Sequence, residues 1–330
     1  MILWLIIFHG KVAELMNYCG LQRIKMELTE KPVRVKRDLN GLFLLDKPSG
    51  VSSNQALQKV KWLLRAKKAG HTGTLDPLAT GLLPICLGEA TKFSRFQLEA
   101  NKRYRVTARF GAVSDTGDLE GEIVSTGFDV PADEDTIRDL LPQFVGKISQ
   151  RPPVYSAIKV DGRRLCDYAR GGIDIEPKLR QVEVSQFDLT DFTGVEATFE
   201  ISCSKGTYIR SLVVDLGAAL ECGAHVIQLR RLAAGNLGIG QAVSLSDLES
   251  IAGNDDQVLP KLLPTETLVE GLGQLNVSAE QATRLKGGQI VSVDPPAVNQ
   301  AMALFSSGRF IGVGELDADG SVRPRRMMQH

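Results

Sequence analysis

The chain has 330 residues, of which 43% are hydrophobic and 24% charged, the composition of an ordinary globular protein with room for about two domains. Lysine plus arginine balance aspartate plus glutamate at 39 each, and a formal net charge of zero argues against a nucleic-acid binder. The charges are unevenly spread, however, and local basic patches decide recognition more than the sum does.

The N-terminal segment begins with a short apolar run. This run, from Ile2 to Phe8, is too short to span a membrane, and no basic residue precedes it. The bulky Tyr18 before Cys19 fits neither a small-residue cleavage site nor a lipidation site. Residues 1–35 are therefore interpreted as an N-terminal extension that is neither a signal nor a membrane anchor.

A strand and a basic helix are predicted next. The apolar run GLFLLD at 41–46 indicates a buried strand, which KPSG at 47–50 ends. Ser52 and Gln55 have the spacing of a capping box, and Gly70 is the predicted C-cap of the helix that follows. One face of this helix is apolar and carries Ala56, Val60, Leu63 and Leu64. The remaining positions are basic and comprise Lys59, Lys61, Arg65, Lys67 and Lys68. A basic run is usually a solvated helix face, but its place directly before the next loop favours contact with phosphates.

The stretch GHTGTLDPLATGLLP at 70–84 is predicted to be a shaped loop. Its three glycines and two prolines forbid a regular helix or a central strand. It presents the carboxylate of Asp76, the imidazole of His71 and several threonine hydroxyls, with leucines available to bury its flanks. Taken alone, the Asp76-Pro77 pair favours a structural interpretation over a functional one, either as a simple turn or as a helix N-cap with proline at the first helical position.

An alternating strand is predicted over 103–110. Its apolar face is formed by Tyr104, Val106, Ala108 and Phe110. By this pattern alone Tyr104 is a core aromatic residue. The stretch SDTGDLEG at 114–121 then predicts a turn, and a strand and an acidic-capped helix are predicted over 122–125 and 133–141.

Residues 151–180 are predicted to form a basic excursion. The pair DG at 161–162 is a strong hairpin turn, a short helix is predicted over 163–170, and GG at 171–172 ends it. The cations of this segment are Lys159, Arg163, Arg164, Arg170, Lys178 and Arg180, with Tyr155 and Tyr168 between them. Cations interleaved with aromatic rings suit single-stranded or looped RNA, although a plain surface hairpin can have the same pattern.

The rest of the chain alternates strands and one apolar helix. Two strands, about 181–191 and 195–203, precede a helix whose apolar positions begin at Ile209 and which Gly223 stops. A further strand, a connector and a region of short strands and turns are predicted over 225–232, 252–265 and 273–330. The pair DG at 319–320 marks a final hairpin.

Several of these stretches resemble the TruB family, the bacterial tRNA pseudouridine synthases that isomerise the uridine at position 55 of the T-loop. The most specific is GHTGTLDPLATGLLPICLGEATKF, which looks like the catalytic motif of that family. The others are GLFLLDKPSG, KRYRVTARFG, YSAIKVDGRRLCDYAR, CSKGTYIRSL and CGAHVIQLRRL. The resemblance is strong from Asn40 to Leu232 and weaker towards the C-terminus.

The resemblance implies a role for each matching residue. Asp76 would be the catalytic nucleophile, Tyr104 the ring that stacks on the target uracil, and Arg210 the basic partner of the aspartate. Tyr208 and Leu229 would line the base pocket. Lys47 and Pro48 would support the active-site loop. His71 would fill the space left by the displaced nucleotide. Contacts with the RNA backbone are expected from Lys59, Lys67, Lys68, Arg163, Arg164 and Arg170.

The predicted fold class is α+β. Strand alternation and the many hairpins indicate a mixed, mainly antiparallel sheet with peripheral helices, and the resemblance implies the pseudouridine synthase fold with a small β-rich PUA-like C-terminal domain. The predicted catalytic domain, connector and C-terminal domain span 36–251, 252–265 and 266–330, with 151–180 as an insertion that clamps the RNA. Family members have a short basic lead before the first motif, so residues 1 to about 25 are expected to come from a mis-assigned upstream start codon, with Met26 as the true start.

Pseudouridylation needs neither a redox partner nor a group donor, and no cofactor is predicted. Five cysteines without a CxxC pair and four histidines without metal-ligand spacing also predict no metal site and a reduced, cytoplasmic protein. The reaction needs a nucleophile at an electron-poor carbon, and a carboxylate can attack C1′ as in retaining glycosidases. Asp76 could instead attack C6 of the ring or assist loss of the C2′ proton. Burial raises the pKa of a lone carboxylate, and the Arg210 guanidinium would oppose that rise.

The expected partner is the T-stem and loop of tRNA, with no membrane, no obligate protein partner and a monomeric enzyme. Two alternatives use the same residues. One is an RNA-binding or RNA-folding helper without catalysis. The other is a hydrolase with Asp76 as its nucleophile, for which no water-activating base is evident near the loop.

Overall fold

The computed structural model describes residues 4–9, 12–17, 23–27, 35–156, 158–173, 175–294 and 299–329, the first three ranges by their backbone alone. The chain divides into two compact units, Met1–Lys36 and Arg37–His330. The first unit contains an antiparallel sheet of β1 (Trp4–His9), β2 (Val12–Asn17) and β3 (Arg23–Glu27), in that order. Whether Met26 is the true start remains a prediction.

The strands of the second unit follow in chain order. They are β4 (Gly41–Lys47), β5 (Ala69–His71), β6 (Thr80–Leu87), β7 (Lys102–Phe110), β8 (Ala112–Ser114), β9 (Ile123–Ser125), β10 (Gly146–Gln150), β11 (Lys159–Val160), β12 (Arg163–Arg164), β13 (Arg180–Phe192), β14 (Glu196–Cys203), β15 (Ala224–Ala234), β16 (Leu237–Gly238), β17 (Val243–Ser244), β18 (Leu262–Leu263), β19 (Gly273–Asn276), β20 (Val291–Ser292), β21 (Gln300–Ser306), β22 (Arg309–Leu316) and β23 (Ser321–Met327).

Within the described residues, the largest sheet of this unit has 11 strands. Its main path is β10-β13-β14-β7-β15-β6-β4-β17, and β5, β16 and β18 pair at its side. Most neighbours are antiparallel, but β15 runs parallel to β6 and β17 parallel to β4. The predicted mixed, mainly antiparallel sheet is confirmed, and the parallel pairing brings the C-terminal half of β15 beside the start of β6.

The helices lie around this sheet. They are α1 (Ser53–Leu63), α2 (Ser94–Glu99), α3 (Glu134–Arg138), α4 (Leu165–Arg170), α5 (Ile209–Ala219), α6 (Leu245–Ile251), α7 (Asp255–Val258) and α8 (Ala279–Lys286). No helix in the described part of the chain combines the length and the apolar character needed to cross a bilayer.

The start of α1 is as predicted and its end is not. Ser52 and Gln55 form the capping box. The helix nevertheless ends at Leu63, because Arg65 adopts a left-handed φ of 54° and the chain then pairs as an extended segment, with the Lys67 amide donating to Arg37. Gly70 lies in the middle of β5 and is no helix cap, which corrects the prediction.

The apolar run of β4 is explained by burial on both of its faces. Phe43 and Leu45 pack in the core that α1 and α5 cover, whereas Leu42 and Leu44 pack in a second core shared with the C-terminal region. A strand that alternates between two cores has no polar face, which is why its sequence is continuously hydrophobic.

The C-terminal region is a five-stranded sheet of order β19-β21-β22-β23-β20 with α8 against it. This confirms the β-rich C-terminal domain, including the hairpin between β22 and β23. Residues 252–265, predicted as a connector, contain α7 and β18, and Leu262 of β18 pairs with Phe43 of β4. The exact domain boundaries stay predictions.

The predicted basic insertion forms its own small hairpin of β11 and β12. Asp161 and Gly162 take φ of 49° and 82°, as a two-residue hairpin turn requires. Helix α4 begins at Leu165, two residues later than predicted, because Arg163 still pairs with Val160.

Candidate functional site

The loop between β5 and β6 that carries Asp76 is fixed by hydrogen bonds from the turn after β4. The Gly50 amide donates to the Pro77 carbonyl at 2.9 Å, and the Ser49 hydroxyl donates to Leu78 at 3.1 Å. On the other side of Asp76, the Ser53 hydroxyl both accepts from the Leu75 amide and donates to its carbonyl, at 2.8 and 2.9 Å. Sequence-distant residues therefore hold both flanks of the aspartate.

Lys47 adds a buried charge to this support. Its side chain is fully buried, and its ammonium donates to the carbonyls of Pro48, Val51 and Pro77. Burial lowers the pKa of Lys47 to about 8, and the nearby Asp76 partly opposes that shift. Pro48 itself is exposed and contributes its carbonyl. The predicted support of the active-site loop by Lys47 and Pro48 stays a prediction.

Asp76 pairs with Arg210, which lies in the first turn of α5. The guanidinium Nη2 lies 3.0 Å from Oδ2 of Asp76, and the arginine side chain is 6% exposed against 38% for the aspartate. Two carbonyls, of Thr116 and Tyr155, also accept from Arg210, at 2.7 and 2.9 Å. The arginine is thus locked in place, while the carboxylate reaches solvent.

A second carboxylate, Asp118, contacts the same arginine and was missed by the sequence analysis. Its Oδ2 lies 3.3 Å from Nη1 of Arg210, and its side chain is 2% exposed. The Thr116 hydroxyl and the Glu120 amide donate to its Oδ1 at 2.6 and 3.0 Å. The only signal for it was an Asp-rich turn, which is also the ordinary composition of a surface loop.

The electrostatics of Asp76 are a balance of opposing effects. Burial raises the pKa of the carboxyl above its ordinary value, Arg210 lowers it by charge and hydrogen bonding, and Asp118 raises it further. The net direction is upward. The sequence predicted that desolvation would raise the pKa of Asp76 and that the Arg210 guanidinium would oppose the rise. The contribution of Asp118 to the pKa was not predicted.

Asp76 lines a pocket of about 300 Å³. Tyr104 of β7, Leu229 of β15 and Tyr208, which directly precedes α5, line it too. The Tyr208 backbone is held in both directions by the Gln150 side chain, at 2.8 and 3.0 Å. Five predicted residues therefore meet in one pocket: Asp76, Tyr104, Tyr208, Arg210 and Leu229.

Two buried cations, Lys102 and Arg231, line the same pocket and were also missed. Strand alternation could have found them, since Lys102 lies in phase with Tyr104 on β7 and Arg231 with Leu229 on β15. Basic residues at inward positions of a strand are unusual in a core and indicate a functional role.

His71 lies in β5, half-buried and opposite Ile85 of β6. It is not among the described residues that line the Asp76 pocket. Burial and the Arg231 charge lower the pKa of His71. Its predicted role next to a displaced nucleotide stays a prediction.

The residues predicted to contact the RNA backbone lie on two surfaces. On the first, Lys59 pairs with Glu249 and Lys67 with Asp38, while Lys68 is exposed. On the second, the insertion, Arg170 is exposed and the Arg163 guanidinium lies 4.7 Å from the Tyr168 ring centroid. The side chain of Arg164 lies outside the described part of the structure. These RNA contacts stay predictions.

Comparison with known proteins gives consistent matches over the chain. Residues 61–209 match the model of the TruB family pseudouridylate synthase N-terminal domain, residues 210–270 that of the tRNA pseudouridylate synthase B C-terminal domain, and residues 273–328 that of the pseudouridine synthase II TruB C-terminal domain. The tRNA pseudouridine synthase B of Chromobacterium violaceum is 46% identical over 301 residues, which is 90% of this chain and 97% of that protein. The enzyme of the same name from Pseudomonas aeruginosa is 46% identical over 90% of this chain and 98% of its own. Among solved structures, a chain in a Cbf5-Nop10-Gar1 complex aligns with a TM-score of 0.68 at 25% identity, covering 87% of this chain and 84% of that one.

Proposed function

The chain belongs to the TruB family of pseudouridylate synthases, and from this premise we propose that it isomerises uridine to pseudouridine at position 55 in the T-loop of tRNA. The observation that carries the proposal is the Asp76–Arg210 pair at 3.0 Å, in a pocket that Tyr104 and Leu229 also line. An RNA-binding helper without catalysis would have no use for a desolvated carboxylate held by a buried guanidinium.

The reaction rearranges one nucleotide without gain or loss of atoms. The bond from C1′ to N1 breaks, and its electron pair leaves with the uracil. The ring then turns, C1′ bonds to C5, and C5 releases a proton while N1 gains one. Asp76 acts at the electron-deficient sugar, at C6 of the ring, or in removal of the C2′ proton, and all three routes need it ionised.

Arg210 keeps Asp76 ionised when the bound RNA excludes water from the site. Burial alone favours the protonated carboxyl, and the guanidinium charge and hydrogen bond oppose that effect. Arg210 is itself fixed by Asp118 and by two carbonyls, so it does not reorganise during the reaction.

Tyr104 and Leu229 hold the uracil after it leaves the T-loop stack. Extrusion of a base costs a few kcal/mol, and stacking on one aromatic ring returns about 1–3 kcal/mol. Tyr208 completes the pocket beside Ser156. The Tyr104 hydroxyl relays a proton during the step at C5.

The tRNA is held outside the pocket by the insertion at 151–180, whose Arg163, Arg164 and Arg170 contact the T-stem backbone. We propose that the enzyme is a monomer. We place the enzyme in the cytoplasm, where its tRNA substrate is.

Position-specific mapping tests the function. An unmodified tRNA transcript is treated with the enzyme, then with a carbodiimide that adds stably to pseudouridine, and is reverse-transcribed. Reverse transcription is expected to stop one nucleotide to the 3′ side of position 55. A transcript with cytidine at position 55 is the control. Stops elsewhere, or none, would contradict the proposal.

A further inference from the structure

Lys102 and Arg231 are two buried cations in a pocket whose described lining holds one carboxylate, Asp76, which is already paired. The side chains of Asp76 and Asp118 both contact Arg210. Lys102 is 8% exposed and Arg231 is 1% exposed, and both line the pocket. Neither forms an ion pair with a carboxylate within the described residues. The pocket therefore has a surplus of positive charge on the side formed by β7 and β15.

Arg231 is held by backbone carbonyls. Its Nε donates to Leu82 at 2.7 Å and its Nη2 to Gly73 at 3.1 Å. On the sheet it lies directly opposite Tyr104, and its charge opposes the rise that burial causes in the pKa of the tyrosine hydroxyl. The charge is thus fixed between the Asp76 loop and the ring predicted to stack on the base.

Lys102 is held in the same manner. Its ammonium donates to the carbonyls of Gln97, Leu98 and Ala100, at 3.3, 2.8 and 2.5 Å. Burial, with the Arg231 charge as a further cause, lowers the pKa of Lys102 to about 8, so the side chain remains mainly charged at neutral pH.

An arrangement of this kind weakens the folded protein. Carbonyl dipoles compensate a buried cation less well than a carboxylate does, and the two like charges repel. Arg210, by contrast, lines the same pocket and has carboxylate partners in Asp76 and Asp118. A fixed, uncompensated positive charge is useful where negative charge develops during a reaction, because it needs no reorganisation at that moment.

Negative charge develops in this pocket when the base leaves the sugar. Heterolysis of the C1′–N1 bond puts its electron pair on the uracil, where it spreads over N1, the two carbonyl oxygens and C5. The charge disappears again when C5 attacks C1′, after which C5 releases its proton and N1 takes one up.

We propose that Arg231 and Lys102 stabilise the uracil anion that forms on cleavage of the C1′–N1 bond, Arg231 acting through the Tyr104 hydroxyl as a positioning residue. The inference rests on the proposed function and deepens it. In this division of roles, residues of β7 and β15 stabilise the leaving base, and the Asp76 loop carries out the chemistry at the sugar.

A substrate with a better leaving base tests this role. Fluorine at C5 withdraws electrons and stabilises the uracil anion, so a 5-fluorouridine target depends less on protein charges. Single-turnover disappearance of the target nucleoside is followed by mass spectrometry of digested T-stem-loop RNA for wild type, Arg231→Gln and Lys102→Met. Arg105→Gln is the matched control, since Arg105 lies on the opposite face of β7 and pairs with Glu200.

The expected loss for Arg231→Gln with uridine is about 10²–10³-fold, the usual effect of removing one preorganised donor, and the loss with 5-fluorouridine is at least several-fold smaller. Arg231→Lys, which keeps the charge, recovers part of the rate, and RNA affinity is unchanged. If Arg231→Gln does not fold, Lys102→Met provides the same comparison.

Equal losses with both targets, or no loss in either variant, would overturn the inference and leave Arg231 as a clamp on the Gly73 loop. A wild-type enzyme that consumes neither target would instead overturn the proposed function.

Discussion

At the scale of single residues, one arginine serves two carboxylates of different character. Asp118 is buried and fully hydrogen-bonded, whereas Asp76 is 38% exposed and contacts only Arg210 among the ion pairs of the described residues. The difference separates a residue that positions the arginine from one that is free to react. Sequence motifs identified Asp76 and Arg210 but not Asp118, because a buried charge in a loop has no periodic signal.

Asp118→Asn is expected to shift the acid side of the pH–rate profile. The reactive form of Asp76 is the ionised one, so activity is present above its pKa and is lost as pH falls through it. Burial raises that pKa above the ordinary 3.8, and the Asp118 charge adds to the rise. Removing the charge lowers the pKa of Asp76 and moves the acid limb of the single-turnover rate to lower pH. A limb that moves to higher pH would contradict this electrostatic account.

At the scale of elements, the site depends on a loop whose backbone is held from several sides. Residues from the turn after β4, from the start of α1 and from β15 bind its carbonyls, among them Ser49, Ser53 and Arg231. Local patterns predicted several strands and the centre of the loop. The prediction that no central strand lies within 70–84 was wrong, because Gly81 and Pro84 belong to β6, where β15 and β4 hold the backbone extended on either side. Local patterns also could not predict the end of α1 at Leu63, because that end is set by pairing of Lys67 with Arg37, which lies before the helix in sequence.

Gly81, at the start of β6, is required by the close approach of β15. Its φ is 99°, and a Cβ there would lie 2.3 Å from the Arg231 carbonyl oxygen. Gly81→Ala is therefore expected to lower the free energy of unfolding by about 3 kcal/mol or more. Urea denaturation measures this change.

Gly194→Ala is the matched control for that substitution. Gly194 has a φ of 88°, but nothing lies within 4 Å of the place that a Cβ would take, so only the backbone strain of about 1 kcal/mol remains. Equal losses in the two variants would show that the contact between β6 and β15 is not tight.

At the scale of the whole molecule, a protein of zero net charge is proposed to bind a polyanion. Part of the positive charge on the surface of α1 is compensated by ion pairs, such as the pair of Lys59 with Glu249. The insertion differs, because Arg163 lies over Tyr168 and Arg170 is exposed. The sequence predicted RNA contacts for both basic segments alike, because a local pattern does not show which cations pair with carboxylates that are distant in sequence.

Removal of the Arg163 and Arg164 charges is expected to weaken RNA binding and to flatten its salt dependence. Each lost phosphate contact lowers the slope of log affinity against log salt by about 1, so Arg163→Gln with Arg164→Gln should lower it by about 1–2. Lys59→Gln with Lys67→Gln, whose charges are already paired, should change the slope less. The reverse order would locate the phosphate contacts on α1 and not on the insertion.

Asp76 is proposed to carry out a pseudouridylation in this pocket. A T-stem-loop transcript with tritium at C5 of uridine tests it most directly, because formation of the C1′–C5 bond releases that tritium. Wild type is expected to release it and Asp76→Asn to release none while binding the RNA almost as tightly. Release by Asp76→Asn at the wild-type rate, or no release by the wild type with RNA still bound, would contradict the account.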